Sequence, residues 1–122
     1  MIEQTLLIIK PDAVDRRLVG EILHWVESCG FKILKRTRIK ISKQKAQKLY
    51  EFHKGKDFYG RLVDCISSGE SMVALLERED AIDRLRVLIL LIRNKWSVSQ
   101  MRNSVHASDS LESFQHEVKI FF

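Results

Sequence analysis

The order of apolar segments along the chain is the feature that most constrains its fold. Residues 5–9 and 71–76 each begin with a hydroxyl residue and continue as an unbroken apolar run, which is typical of strands that are buried on both faces of a sheet. Each run is followed by apolar residues at helical spacing, beginning after Pro11 in the first half and at Asp80 in the second. The chain therefore repeats a strand and a helix, with other segments between the two copies.

Two further segments complete the predicted sheet. Residues 31–41 are basic and rich in β-branched side chains, and residues 118–122 are predicted to be the final strand. Shorter helices are predicted from Ser42 to Phe52 and over residues 58–67. Strand, helix, strand, repeated once, is the split βαβ order of the α+β ferredoxin-like class. We expect a single domain over residues 1–122, with an antiparallel four-stranded sheet, helices on one face and additional inserted helices.

Composition and charge exclude several classes of protein. The hydrophobic fraction of 45% and charged fraction of 30% are typical of a globular protein. The longest apolar run, residues 87–92, is far too short to cross a membrane, so no membrane partner is expected. A strand pattern begins within the first few residues, so we expect no signal peptide and a cytoplasmic protein. Cys29 and Cys65 are predicted to be reduced thiols without a disulfide or metal role.

The net charge of +5 indicates an anionic partner. The basic residues of segment 35–40 alternate, which is more typical of one solvated strand face than of a nucleic-acid site. No pair of aromatic residues accompanies them, as an RNA-binding sheet would require. Single-stranded nucleic acid stays an alternative partner but is not expected to be the main one, and nucleotide phosphates are the simpler anion.

Residues 103–110, Asn-Ser-Val-His-Ala-Ser-Asp-Ser, carry the strongest sign of chemistry. Ser and Asp before an apolar-periodic segment are typical of a helix start, here predicted from Asp109 to Lys119. His106 would then lie beside a helix N-terminus, where phosphate groups bind readily. Taken alone, a histidine before a helix is more often an ordinary loop or cap residue. The other histidines, His24, His53 and His116, are expected to have surface roles.

A second segment of the sequence supports a chemical role for His106. Residues 8–14 read Ile-Ile-Lys-Pro-Asp-Ala-Val, and residues 17–22 follow as Arg-Leu-Val-Gly-Glu-Ile. With residues 103–110, these segments resemble the nucleoside diphosphate kinase family, which has the same Lys-Pro-Asp and an active histidine in Asn-x-x-His-Gly-Ser-Asp. The resemblance extends from Thr5 to Phe122. It implies the ferredoxin-like fold that the segment order also predicts.

The resemblance implies an enzyme that transfers the γ-phosphoryl of a nucleoside triphosphate to a nucleoside diphosphate, by a ping-pong mechanism. His106 would be the nucleophile that becomes phosphohistidine, and Glu117 would orient its ring. An uncharged imidazole needs no separate base for this task. The alternative is a family member that binds nucleotide with reduced turnover and acts as an interaction or regulatory subunit.

The resemblance also assigns the surrounding residues. Lys10, Arg86 and Arg93 match the cations that bind phosphate, and Tyr50 the tyrosine beside the histidine. Asn103 matches the residue that contacts the ribose, and Phe58 and Leu62 match the hydrophobic clamp on the base. Mg²⁺ is expected to arrive with the triphosphate, with Asp109 as an indirect contact. Such a clamp contacts any aromatic face, so broad base tolerance is expected.

The chain departs from the family pattern mainly between Arg86 and Arg93. Most members have a longer segment there, with a threonine that contacts phosphate and a loop that helps subunits to pack. Here only residues 87–92 intervene, and we expect them to form a shortened connection. A homo-oligomer is still expected, as a tetramer or hexamer built from dimers, although the shortening puts the hexamer in doubt.

Smaller departures lie near the expected nucleotide. Ala107 replaces the glycine that usually follows the histidine, and Asp57 stands where proline often precedes Phe58. Gln100 stands where an apolar residue usually flanks the base, which predicts some discrimination among bases. None of these changes removes a group with a predicted role in catalysis.

Overall fold

The computed structural model describes residues 1–99 and 102–122. The strands are β1 Ile2–Ile9, β2 Lys32–Lys40, β3 Glu70–Glu79 and β4 Val105–Ala107. The helices are α1 Pro11–Asp15, α2 Val19–Ser28, α3 Lys43–Leu49, α4 Tyr59–Ile66, α5 Ala81–Trp96 and α6 Leu111–Phe121. A 3-10 turn at Glu51–His53 follows α3.

The strands form one four-stranded antiparallel sheet in the order β2-β3-β1-β4. The central pairing places Ile2 opposite Glu79 and Ile9 opposite Met72. β1 and β4 pair only from Leu7 opposite Ala107 to Ile9 opposite Val105. This order and the two strand-helix-strand units confirm the predicted ferredoxin-like α+β class.

Both faces of the sheet are buried, which explains why the first strand is apolar at successive positions. Leu7 and Ile9 pack in one core with residues of α2 and α5. Leu6 and Ile8 pack in a second core with residues of α3, α4 and α6. The inserted helices therefore cover the face that the two helices of the repeated units leave open.

The prediction of a final strand over residues 118–122 was wrong. Residues 118–121 are the last turn of α6, and Phe122 follows it. The first turn of α6 is fixed by Ser110, because its hydroxyl accepts a hydrogen bond from the Ser113 N–H at 3.0 Å. Phe114 is buried in the second core, and Val118 and Phe121 pack against that core at helical spacing. The fourth strand is the three-residue β4, which is too short to give a period-two pattern in the sequence.

The segment between Arg86 and Arg93 is not a connection, because both residues lie within the continuous helix α5. Leu85, Leu88 and Ile92 recur at helical spacing and are buried in the first core. The apolar residues of this segment thus have the spacing of a helix. No helix in the described ranges has the length and apolar character needed to cross a membrane.

Candidate active site

The edge of the sheet brings the two motif segments together. Within β4, His106 lies opposite Ile8 of β1, so the histidine is beside the strand that directly precedes Lys10. The Lys10 N–H donates to the Ser104 carbonyl at 2.8 Å and extends this contact past the strand end. Residues far apart in sequence therefore share one site because β1 and β4 are neighbours.

His106 is held by a buried carboxylate. Its Nε2 is 3.2 Å from Glu117 Oε1, and Glu117 is only 5% exposed. The same oxygen accepts a 2.8 Å hydrogen bond from the hydroxyl of Ser108, which is fully buried. A carboxylate at Nε2 selects the tautomer with hydrogen there and leaves Nδ1 with its lone pair. The structure thus brings Glu117 to His106 and adds Ser108, which the sequence indicated only as part of a helix start.

Ser108→Ala is expected to lower the free energy of unfolding by about 1–3 kcal/mol, because a buried carboxylate loses one of its donors. Urea denaturation measures this change. Ser28→Ala is the matched control, since the Ser28 hydroxyl makes an exposed bond to the His24 carbonyl, and its change should stay within about 0.5 kcal/mol. Equal changes in the two variants would contradict the role given to Ser108.

Lys10 is a buried cation at the end of β1. It is 6% exposed, and its Nζ donates to Asn103 Oδ1 at 2.7 Å. Burial, and then the positive charge of Arg93, lower the pKa of Lys10 to about 8. The Lys10 ammonium therefore loses its proton near pH 8, and an anion bound beside it would stabilise its charged form.

The loop that carries Asn103 is fixed by α1. Asp12 Oδ2 accepts the Ser104 N–H at 3.1 Å, at a residue whose φ of +75° is unusual outside glycine. Arg16 also reaches this loop, with its guanidinium on the Trp96 carbonyl and 3.4 Å from the Ser104 hydroxyl. Burial raises the pKa of Asp12, and the charge of Lys10 opposes that shift. Asp12, the acid of the Lys-Pro-Asp motif, thus fixes the loop that carries Asn103.

Arg93 and Tyr50 complete the surroundings of His106. Arg93 donates through Nε and Nη2 to the Val105 carbonyl at 3.3 and 3.0 Å, one residue before the histidine. Burial lowers the pKa of Arg93, and the neighbouring Tyr50 opposes this shift. Tyr50 is 5% exposed, and its ring lies edge-on to His106 at 6.1 Å between centroids. Burial, and then the charge of Glu117, raise the pKa of Tyr50. Within the described ranges, its hydroxyl has no hydrogen-bond partner.

Two adjoining clefts of about 260 Å³ each meet at Tyr50. One is lined by Lys10, Asp12, Leu62, Cys65 and Arg102, among others. The other is lined by residues that include His53, His106, Asp109 and Glu117. Leu62 and Lys10 thus line one cleft, and Asp109 and His106 line the other.

Phe58 lies at the edge of this region, just before α4. Its ring is 5.5 Å from the ring of His53, and Lys56 Nζ lies 5.7 Å from its centroid. The Lys56 ammonium also donates to His53 Nδ1 at 3.3 Å. His53 thus lines the cleft that contains His106, and the expectation of a surface role for it stays a prediction. A polar turn without periodicity gave no signal that could have placed His53 in the cleft.

Arg86 is the predicted site residue that the structure leaves apart. It is exposed, and within the described ranges it has no hydrogen bond or ion pair with the others. It lies about two helical turns from Arg93, which puts both arginines on the same side of α5.

Ala107 is 7% exposed and pairs with Leu7, so its methyl group is accommodated in the sheet. Gln100 lies outside the described residues.

A histidine oriented by a buried carboxylate, near a buried lysine and a half-buried arginine, is an arrangement suited to phosphoryl transfer. The family profile described as "Nucleoside diphosphate kinase" matches residues 3–122. The nucleoside diphosphate kinase of Methanocaldococcus jannaschii is 40% identical, with 100% of this chain and 94% of the relative covered. The nucleoside diphosphate kinase of Clostridium perfringens is 40% identical, with 99% of this chain and 92% of the relative covered.

A solved structure gives the same result. The crystal structure of the Aquifex aeolicus nucleoside diphosphate kinase superimposes with a TM-score of 0.95 at 35% identity, covering 100% of this chain and 96% of that one. The chain therefore belongs to the nucleoside diphosphate kinase family. The predictions of this family and of a phosphotransferase are confirmed, and the reduced-turnover alternative is not favoured.

Proposed function

We propose that the chain transfers the γ-phosphoryl of a nucleoside triphosphate to a nucleoside diphosphate through a phosphohistidine on His106. The observation that carries this proposal is the 3.2 Å contact between His106 Nε2 and the buried Glu117. Because Nε2 is engaged, the lone pair for attack is on Nδ1. The residue before the nucleophile is held by Arg93, so backbone and ring are both fixed before substrate binds.

In the first half-reaction, Nδ1 forms a bond to the γ-phosphorus while the bond from that phosphorus to the β–γ bridging oxygen breaks. The nucleoside diphosphate leaves with the electron pair of that bond. In the second half-reaction, a terminal oxygen of another diphosphate attacks the phosphorus and the N–P bond breaks. Glu117 stabilises the positive charge that the ring carries while it is phosphorylated.

The cations around His106 supply the remaining stabilisation. Lys10 and Arg93 lie close enough for their charges to interact, and both would bind phosphate oxygens. Arg86, on the same side of α5 as Arg93, would contact the outer phosphates. Tyr50 lines both clefts, so its hydroxyl would make a further contact to the moving phosphoryl. Lys56 and His53 are additional donors beside the clamp.

Phe58 and Leu62 are proposed to hold the base, and Asn103 to contact the ribose. Phe58 is half-buried at the start of α4 with one aromatic neighbour, so a base can stack without base-edge contacts. Asn103 is fixed by Lys10 near the phosphate end of the cleft. Broad base tolerance follows from this arrangement.

The donor set fits Mg²⁺ only as an ion that accompanies the nucleotide. Within the described ranges, no three metal-ligating side chains are grouped, and Asp109 is an exposed carboxylate beside His106. Mg²⁺ commonly keeps water and phosphate oxygens as ligands with one or two carboxylates. When bound, it would neutralise charge on the triphosphate, and Asp109 would contact it indirectly.

We also propose that the protein is cytoplasmic, serves nucleotide pools and assembles as a homo-oligomer based on dimers. The open edge of β2 and the exposed apolar Val87, Leu90 and Leu91 of α5 support association between copies. Either a tetramer or a hexamer satisfies these features.

Initial velocities test the proposed function most simply. ATP is the donor and a deoxynucleoside diphosphate the acceptor. Double-reciprocal plots of velocity against ATP concentration, at several fixed acceptor concentrations, should give the parallel lines of a ping-pong mechanism. Intersecting lines would indicate direct transfer between two bound nucleotides and would overturn the phosphohistidine step. Absence of any transfer would overturn the enzyme itself.

The pH dependence follows from the lowered pKa of Lys10, about 8. In the free enzyme, kcat/KM should fall as pH rises through about 8, because Lys10 loses the charge that attracts phosphate. Stability should change in the opposite direction: above that pH the unfolded chain binds more protons, so the free energy of unfolding rises until the ordinary lysine pKa is passed. The Lys10→Arg variant keeps its positive charge at alkaline pH, so its kcat/KM should not show the alkaline limb, the fall as pH rises through about 8. A limb that persists in that variant would assign the titration to another group.

A further inference from the structure

His116 is tied to a neighbouring element although it was expected to have only a surface role. Its Nε2 donates to the Lys48 carbonyl at 2.6 Å and lies 3.7 Å from Glu51 Oε2. The Phe52 ring meets the imidazole edge-on at 5.2 Å between centroids. The side chain is 26% exposed, so much of it is covered by these contacts.

These contacts join the two elements that enclose His106. Lys48 is in the last turn of α3, where carbonyls lack a partner within the helix. Tyr50 follows two residues later, and its ring lies against His106. On the other side, His116 directly precedes Glu117, whose carboxylate contacts Nε2 of the same His106 ring. One imidazole thus connects the backbone beside Tyr50 to the helix turn that carries Glu117.

We propose that His116 is a positioning residue, which fixes Glu117 and Tyr50 relative to each other and thereby sets the orientation and tautomer of His106. The inference deepens the proposed function and rests on it. The hydrogen bond at Lys48 sets the distance between α6 and the end of α3, and the Glu51 and Phe52 contacts restrict rotation of the imidazole. Small movements between an orienting carboxylate and a nucleophile have large effects on rate.

The helix itself does not depend on this contact. Ser110 caps α6, and Phe114 anchors it in the second core. Loss of His116 should therefore leave α6 folded but less tightly set against α3. Lys10, which follows β1, and Arg93 of α5 are the cations proposed to bind phosphate and are not part of α6 or α3, so nucleotide binding should change little.

Three variants separate positioning from simple stabilisation. His116→Ala should lower kcat about fivefold to tenfold, the scale of one net hydrogen bond, with KM within about twofold. His116→Gln should restore most of kcat, because its side-chain amide can still donate to the Lys48 carbonyl. His24→Ala, an exposed histidine of α2 on the other side of the sheet, is the matched control and should keep wild-type kinetics.

The ¹⁵N NMR signals of the His106 ring give a readout independent of turnover. In the wild type, neutral His106 should show hydrogen on Nε2 and a lone pair on Nδ1, and His116→Ala should show a mixture of both tautomers. Unchanged ring signals and kcat in His116→Ala, even with a lower Tm, would overturn the inference, as would an equal change in His24→Ala. A wild type without transfer activity would refute the proposed function instead, and the ring signals would still decide whether His116 positions His106.

Discussion

Replacement of His106 by alanine is expected to abolish phosphoryl uptake from ATP. The variant lacks the atom that forms the covalent intermediate, so the loss should be about 10⁶-fold, as when other covalent nucleophiles are removed. Binding of a nucleoside diphosphate should stay within a few-fold, because Phe58, Lys10 and Arg93 provide the proposed contacts. Label uptake by the isolated protein and calorimetric titration with a diphosphate measure the two effects.

The control for this experiment is His24→Ala, which removes an exposed histidine far from the cleft and should retain full uptake. Retention of most activity in His106→Ala would exclude His106 as the nucleophile. Loss of diphosphate binding together with uptake would show instead that the histidine mainly shapes the nucleotide site.

Arg93→Ala is expected to lower kcat about 10²-fold or more, with a smaller effect on nucleotide binding. Its guanidinium is half-buried, is fixed by the Val105 carbonyl and lies near Tyr50 and Lys10. Charge on the moving phosphoryl is best stabilised by a group that needs no reorganisation when the reaction occurs. Steady-state kinetics combined with direct binding of a diphosphate separate the two effects.

Arg86→Ala is the matched comparison, because Arg86 is on the same helix but is exposed. It should affect binding more than kcat, since its side chain must move to reach the phosphates. An Arg93→Ala variant with unchanged kcat and weaker binding would indicate uniform binding of ground state and transition state. The preorganisation assigned to Arg93 would then be wrong.

Most of the fold could be predicted because local patterns and the final structure agree. Residues 6–9 are apolar at every position, and the structure buries this part of β1 on both faces. The error at residues 118–122 has a clear cause: a short run of β-branched and aromatic residues fits a strand as well as a helix end. Packing of Val118 and Phe121 against the second core decided between them.

The site was predictable only where motif and resemblance coincided. His106, Glu117 and Lys10 were named from the sequence, and the structure brings them to one edge of the sheet. Ser108 and His116 could not be assigned their contacts, because a hydroxyl in a helix start and a histidine on a helix have many partners available. Those contacts depend on how α6 is seated against α3, which local sequence does not specify.

The most direct measurement of the central claim is the chemical identity of the phosphorylated group. Wild-type protein treated with γ-labelled ATP, separated from nucleotide and hydrolysed in base should yield phosphohistidine with phosphorus on Nδ1, since Glu117 occupies Nε2. The isolated phosphoprotein should pass its label to an added nucleoside diphosphate. Phosphorus on Nε2, an acid-stable phosphoester, or a label that no diphosphate can remove would contradict the account.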